Sequence, residues 1–163
     1  MQEQLKRIDA LVADIDHIGQ RLRAMIQEDR QMQAIQQIPG IGDLTASALV
    51  AAVGNFSTFK SARQSASWVG LTPRQVGTGG KTQQLGISKR GDTYLRTLLI
   101  AGARAVIARA ERSGWITRLL ERRHYNVAVV ALANKIARTA WTVLAKGAAF
   151  DQVKWHPLEQ AST

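Results

Sequence analysis

The run Val76-Gly77-Thr78-Gly79-Gly80-Lys81-Thr82 offers the most suggestive chemistry in the chain. It ends in Gly-Lys-Thr, as a Walker phosphate loop does. Such a loop needs a glycine five positions before Gly80, where Gln75 stands, and a buried strand in front, which Leu71-Thr72-Pro73-Arg74-Gln75 does not supply. ATP binding is therefore set aside. What remains is a glycine-rich stretch with a hydroxyl on Thr78 and an ammonium on Lys81, followed by Lys89 and Arg90 at the foot of a helix. That describes a seat for a phosphodiester, and Arg63, Arg74 and Arg96 could join it after folding.

A second signal precedes it. Ile35, Ile38, Gly40, Ile41, Gly42, Ala46 and Leu49 match the helix-hairpin-helix pattern of apolar residues around Gly-apolar-Gly. Glycines there would let the backbone approach closely, and amides at the start of the second helix would face a phosphate without reading bases. The plainer alternative is a turn between two helices.

Acid–base and metal chemistry find little material. Residues 44–150 hold three carboxylates, Asp92, Glu111 and Glu121. Asp92 is better used as a helix cap, and the two glutamates sit among arginines, so the convergent set that two-metal phosphoryl transfer requires is absent. His17, His124 and His156 have no ligand spacing. His124, between Arg123 and Tyr125, reads as a surface or phosphate contact. If this chain cuts nucleic acid, a hydroxyl must attack while arginines stabilise the pentavalent charge.

The charge pattern points the same way. Of 163 residues, 22 are Lys or Arg and 12 are Asp or Glu, a net +10. Residues 1–43 carry −2, residues 44–150 carry +13 and residues 151–163 carry −1. A surplus concentrated in the middle section is the footprint of a nucleic-acid partner. There is no cysteine, which excludes thiolate metal sites and disulfides and fits a reducing compartment. No run of eighteen apolar residues and no secretory signal is present, so no membrane is expected.

The elements that would position these groups are helical. Residues 1–34 read as one long helix with Leu5, Ile8, Val12, Ile15, Leu22 and Ile26 on a and d positions of a heptad frame, Gly19 as the weak slot, and Leu11, Ile18, Met25 and Met32 on g. Self-association through a coiled coil is expected; the alternative is a helix lying on the rest of the chain. A second helix should start near Asp43 as N-cap and stop at Gly54, and a third should run from a Ser61–Gln64 capping box to Gly70. Residues 71–91, with five glycines and Pro73, read as a loop or short hairpin. Asp92 then caps a helix with Tyr94, Leu95, Leu98, Leu99, Gly102, Ala103, Val106 and Ile107 on its apolar face and Arg96 and Arg104 on another. A short basic segment, Trp115 to Arg123, precedes a helix opened by Asn126 and ended at Gly147. The fold class is all-α: a coiled-coil-like helix over 1–34, a helical domain over 35–150 with the helix-hairpin-helix at 35–53, and a peripheral tail over 151–163.

The series Ile38-Pro-Gly-Ile-Gly42, Phe59-Lys-Ser-Ala-Arg63, Trp68-Val-Gly-Leu-Thr-Pro-Arg74, Gly79-Gly-Lys81, Gly86-Ile-Ser-Lys-Arg-Gly-Asp92 and Tyr94-Leu-Arg96 resembles, in order, the C-terminal half of insertion-sequence transposases of the IS-one-ten family, IS-eleven-eleven branch. The likeness runs from about residue 35 to 150. It implies DNA transposition by hydroxyl attack and a covalent protein–DNA link, with sites chosen by a structured non-coding RNA. It also implies a cytoplasmic, nucleoid-associated protein of a bacterium or archaeon. The family's magnesium-binding carboxylates, in a DEDD nuclease-fold domain, have no counterpart here, so no cofactor is expected in this chain and it is not expected to transpose DNA alone.

The family's nucleophilic serine aligns with Gly77-Thr78, where only Thr78 keeps a hydroxyl, with an added methyl group that crowds in-line attack. Lys81, Lys89, Arg90 and Arg96 match basic positions expected to hold phosphate. A non-catalytic binding and oligomerisation module, a truncated regulator or a junction binder, is the alternative.

Overall fold

The computed structural model describes residues 1–78, 81–109 and 114–155. Among the described residues there are eight helices and one two-stranded sheet: α1 Gln2–Glu28, α2 Arg30–Gln36, α3 Asp43–Val53, α4 Ala62–Trp68, β1 Pro73–Thr78, β2 Lys81–Ile87, α5 Thr93–Ala108, α6 Gly114–Arg122, α7 Tyr125–Lys146 and α8 Gln152–Trp155. The all-α expectation holds, and the segment expected as a loop or short hairpin is a β-hairpin.

α7 is the axis of the domain. It packs against α5, α4, α2, α6 and the 3-10 turn Phe56–Thr58. Its inward stripe, Val129, Leu132, Ala133, Ile136, Ala140 and Val143, is buried, as the 3.6-residue spacing predicts. Small residues let α5 and α4 close on it: Ala103 and Ala66 are fully buried. α7 is also long and apolar enough to cross a membrane, but much of that stretch is buried in this core.

The long N-terminal helix breaks at Asp29. Its backbone leaves the helical region (φ −108°, ψ 109°), and its carboxylate accepts the amides of Gln31 at 2.7 Å and Met32 at 3.1 Å. An aspartate favours this capping geometry over a helix interior, so it overrides the continuing heptad pattern. The helix after the Gly-Ile-Gly turn also starts differently. Gly42 is its N-cap, and Asp43 is its first residue, accepting from Gln36 Nε2 at 2.7 Å and Arg23 Nε at 3.3 Å.

Ser61 caps α4 through Gln64 N at 3.2 Å, and Asp92 caps α5 through Leu95 N at 2.9 Å. α7 begins one residue early, because the His124 ring accepts the Asn126 amide. Tyr94, expected on the apolar face of α5, is 56% exposed. The tail is not peripheral as far as Trp155. That side chain is buried and meets Phe150 edge-on at 5.8 Å, and its carbonyl accepts from Lys135 Nζ at 2.8 Å.

Candidate nucleic-acid interface

The two strands form an antiparallel ribbon with no second layer beneath it among the described residues. Gln75 faces Gln84, Val76 faces Gln83, Gly77 faces Thr82 and Thr78 faces Lys81, with an irregularity between Pro73 and Gln75. Arg74, Gln75, Val76, Gln83 and Leu85 are all exposed. An isolated hairpin of this size is marginal in water, so its position depends on how its base is held.

A junction built from close backbone contacts holds that base. The Ser88 amide donates to Thr72 O at 2.8 Å and the Lys89 amide to Gly70 O at 3.2 Å. Gly70 (φ +81°) and Gly91 (φ +103°) bring the chains so near that a Cβ on the first would strike the Arg90 carbonyl and one on the second the Trp68 carbonyl. Beneath them Arg96 is buried. Its guanidinium donates to Val69 O at 3.1 Å and to Thr93 Oγ1 at 3.1 Å. From the other side Asn134 Nδ2 of α7 donates to Leu71 O at 3.1 Å. Lys89 makes the sharp turn with a left-handed backbone (φ 55°), rare outside glycine, asparagine and aspartate.

The junction sorts the expected phosphate-binding residues. Arg74, Lys89 and Arg90 stand exposed at the ribbon's base. Arg63 is exposed on the first turn of α4, next to Ala62, which shares a groove wall with Pro73 and Lys89. Among the described residues none of these four pairs with a carboxylate. Thr78 and Lys81 stand opposite each other at the ribbon's end, while their side chains and residues Gly79 and Gly80 lie outside the described part. Arg96 departs from expectation. It points inward as a clamp on the Val69 carbonyl rather than out with the others, and Arg104 is exposed.

Gly40 and Gly42 lie apart from the ribbon. Gly40 (φ +92°) approaches Gly102 of α5 so closely that an added Cβ would lie 3.1 Å from its carbonyl carbon and 2.8 Å from Ile136 Cδ1. Its glycine character is explained by packing. Gly42 borders open space, but the helix start it caps already carries the Asp43 carboxylate.

The whole segment 44–91 contains six basic residues and no acidic one. Metal-binding material is scarce by contrast: among the described residues no three His, Asp or Glu side chains gather as a cation would require. Glu111 and His156 lie outside those described. The local signal for the ribbon is the Gly-Gly pair between two short polar runs containing Val76, Leu85 and Ile87, a weaker mark than the Gly-Lys-Thr beside it.

Comparison with known proteins gives a consistent result. The family model described as Transposase IS116/IS110/IS902 matches residues 32–119, which include the helix turn, the junction and the ribbon. A probable family 20 transposase of Pseudomonas aeruginosa is 43% identical over 151 residues, covering 90% of this chain and 44% of that protein. The transposase for insertion sequence element IS1328 of Yersinia enterocolitica is 42% identical, covering 87% and 44%. The transposase for insertion sequence element IS1111A of Coxiella burnetii is 41% identical, covering 88% and 40%. The chain thus spans less than half the length of these relatives.

Proposed function

This chain belongs to the IS116/IS110/IS902 transposase family, and on that premise we propose that it is the part of such an enzyme that grips DNA and presents a hydroxyl to it. The observation that carries this reading is the acid-free segment 44–91, whose exposed Arg74, Lys89 and Arg90 at the base of a projecting ribbon, and Arg63 on α4, are without carboxylate partners among the described residues. Cations left unpaired on a rigid base are available to phosphate oxygens, and contacts of that kind position a duplex without reading its bases.

In this reading the Thr78 hydroxyl attacks a phosphodiester. A bond forms between Oγ1 and phosphorus, the bond from phosphorus to one sugar oxygen breaks, and the proton given up by the threonine hydroxyl passes by way of solvent to that oxygen, which leaves as a hydroxyl. Lys81 and the neighbouring arginines stabilise the charge that builds on the phosphoryl oxygens. A structured RNA is a second polyanion for the same surface, and residues 1–34 join copies of the chain. Carboxylates that would hold magnesium belong to another domain of such an enzyme, so this chain alone binds without transposing. The β-branched methyl of Thr78 favours a second reading, a non-catalytic binding and oligomerisation module.

Two measurements test these readings. Binding of the chain to duplex DNA across a salt titration should give a log–log slope of about −4.5 if Arg63, Arg74, Lys81, Lys89 and Arg90 each neutralise one phosphate. A flat salt response removes the nucleic-acid reading. In a reconstituted reaction, Thr78→Ala should abolish a covalent adduct on denaturing gels while leaving affinity unchanged. An adduct of wild-type intensity with Thr78→Ala sinks the nucleophile assignment, and no adduct from the wild-type chain supports the second reading.

A further inference from the structure

Three of the tryptophans have polar or cationic partners within the chain. Trp115 and Trp155 line an open groove of about 1070 Å³ beside α7, where the Lys135 ammonium lies 5.1 Å and 4.5 Å from their ring centres. Trp141 donates its indole N–H to the Phe56 carbonyl at 3.2 Å and has the Lys146 ammonium 5.8 Å from its ring centre. Trp68 is different. It has neither a cation nor a hydrogen-bond acceptor among the described residues, and it is 37% exposed.

The exposed ring is nevertheless held in place. Trp68 is the last residue of α4, and its carbonyl meets the Gly91 backbone so closely that a Cβ there would strike it. Phe59, half-buried against the core, braces the indole at 5.7 Å between ring centres with the planes tilted by 52°. Cations surround this pair in the chain: Lys60 follows Phe59, Arg63 lies on the first turn of α4, and Arg90 precedes Gly91. All three are exposed and none pairs with a carboxylate among the described residues. An exposed aromatic ring by itself is ordinary surface. A ring fixed beside unpaired cations suits a polyanion that also carries flat π faces, since the rings stack while the cations hold phosphate. A closed duplex buries its base faces in its own stack and offers such a ring nothing.

We infer that Trp68 is a stacking platform for an unpaired base of a DNA strand whose phosphates are held by Lys60, Arg63 and Arg90. This rests on the reading that the acid-free segment grips DNA, and adds that the strand is open where it passes the end of α4. The cations position the backbone and are indifferent to pairing; the ring selects DNA whose bases are free to stack. The site is continuous with the ribbon's base, because the Gly91 contact that fixes Trp68 belongs to the same junction as Lys89 and Arg90.

Stacking is separated from charge by comparing a blunt duplex, the same duplex with an oligothymidine overhang, and the same duplex with an overhang of abasic sites, which keeps the phosphates and lacks the bases. Dissociation constants are taken by fluorescence anisotropy across a salt titration. The wild-type chain should bind the thymidine overhang about fivefold or more tighter than the abasic one. Trp68→Leu, which keeps an apolar contact for Phe59, should bring that ratio to about one, and Trp68→Phe should retain most of it. The ratio compares two ligands on one chain, so a general weakening by the substitution cancels. Equal binding of the two overhangs by the wild-type chain overturns the platform, while salt-dependent binding of the blunt duplex leaves the grip on DNA standing. A flat salt response with every ligand removes both. A preference for bases that survives Trp68→Leu puts the stack elsewhere and overturns the assignment. An oligouridine RNA overhang bound about tenfold tighter than thymidine gives the ring to RNA and overturns it as well.

Discussion

Arg96 illustrates how a residue's type can be right for one role and its position commit it to another. In the sequence it is one more arginine in a basic region. In the structure its guanidinium holds the Val69 carbonyl under the Gly70–Arg90 contact, so replacing it disturbs the base of the ribbon before it touches any ligand. Arg96→Met should lower unfolding free energy by about 1.5–3 kcal/mol in urea titrations, the range for hydrogen bonds to a charged group. Arg90→Ala, at an exposed position, should weaken DNA binding and leave the urea midpoint in place. Equal midpoints for both variants would remove the distinction.

Gly91 sets a harsher limit, since Ala there meets both a positive φ and the Trp68 carbonyl; a loss of about 3 kcal/mol or more is expected, against less than about 1 kcal/mol for Gly42→Ala. Lys135 adds a pH signature. Burial between Trp115 and Trp155 pushes its ammonium below the ordinary lysine value. The folded state then binds fewer protons than the unfolded one between the lowered value and 10.5, so this group's contribution to stability should rise with pH through that window. Lys135→Met should flatten that rise in unfolding curves measured across alkaline pH.

At the scale of elements, caps and turns explain both the agreements and the departures. Ser61, Asp92 and Gly147 are legible because each carries a local reason, an oxygen that accepts an amide or a glycine that takes the left-handed turn. Asp29 carries the same reason, but the heptad pattern running across it masks the break. The ribbon is harder to read because its strands are polar on both faces and bury little, leaving no alternation to count. Lys89 tests how the ribbon is anchored. Lys89→Gly removes a left-handed strain of about 1 kcal/mol and removes a cation. Stability should rise by about that amount while the salt slope of DNA binding becomes shallower by about one. A variant that loses stability would show that the lysine side chain, not its backbone, holds the turn.

For the whole molecule, the unequal distribution of charge now has a shape. The acid-free segment supplies α4, the junction and the ribbon, while the near-neutral flanks supply α1 at one end and Trp155 at the other. Trp155 closes the groove's far side, so Trp155→Ala should cost about 3–5 kcal/mol, read as a lowered urea midpoint. A midpoint within error of wild type would return the tail to the periphery.

The helical class, the caps at Ser61 and Asp92, the stop at Gly147, the basic middle section and the transposase likeness were determined by the sequence itself, because periodicity, capping chemistry and charge are local properties of the chain. Which arginines stay exposed was not. Arg63, Arg74 and Arg90 remain outside, Arg96 is drawn in, and Gly40 serves a helix contact rather than an open loop. Those outcomes depend on backbones that meet across long stretches of chain, such as the 27 residues from Val69 to Arg96 and the 63 from Leu71 to Asn134. Only the packing of α4, α5 and α7 around the ribbon's base decides which of them come together.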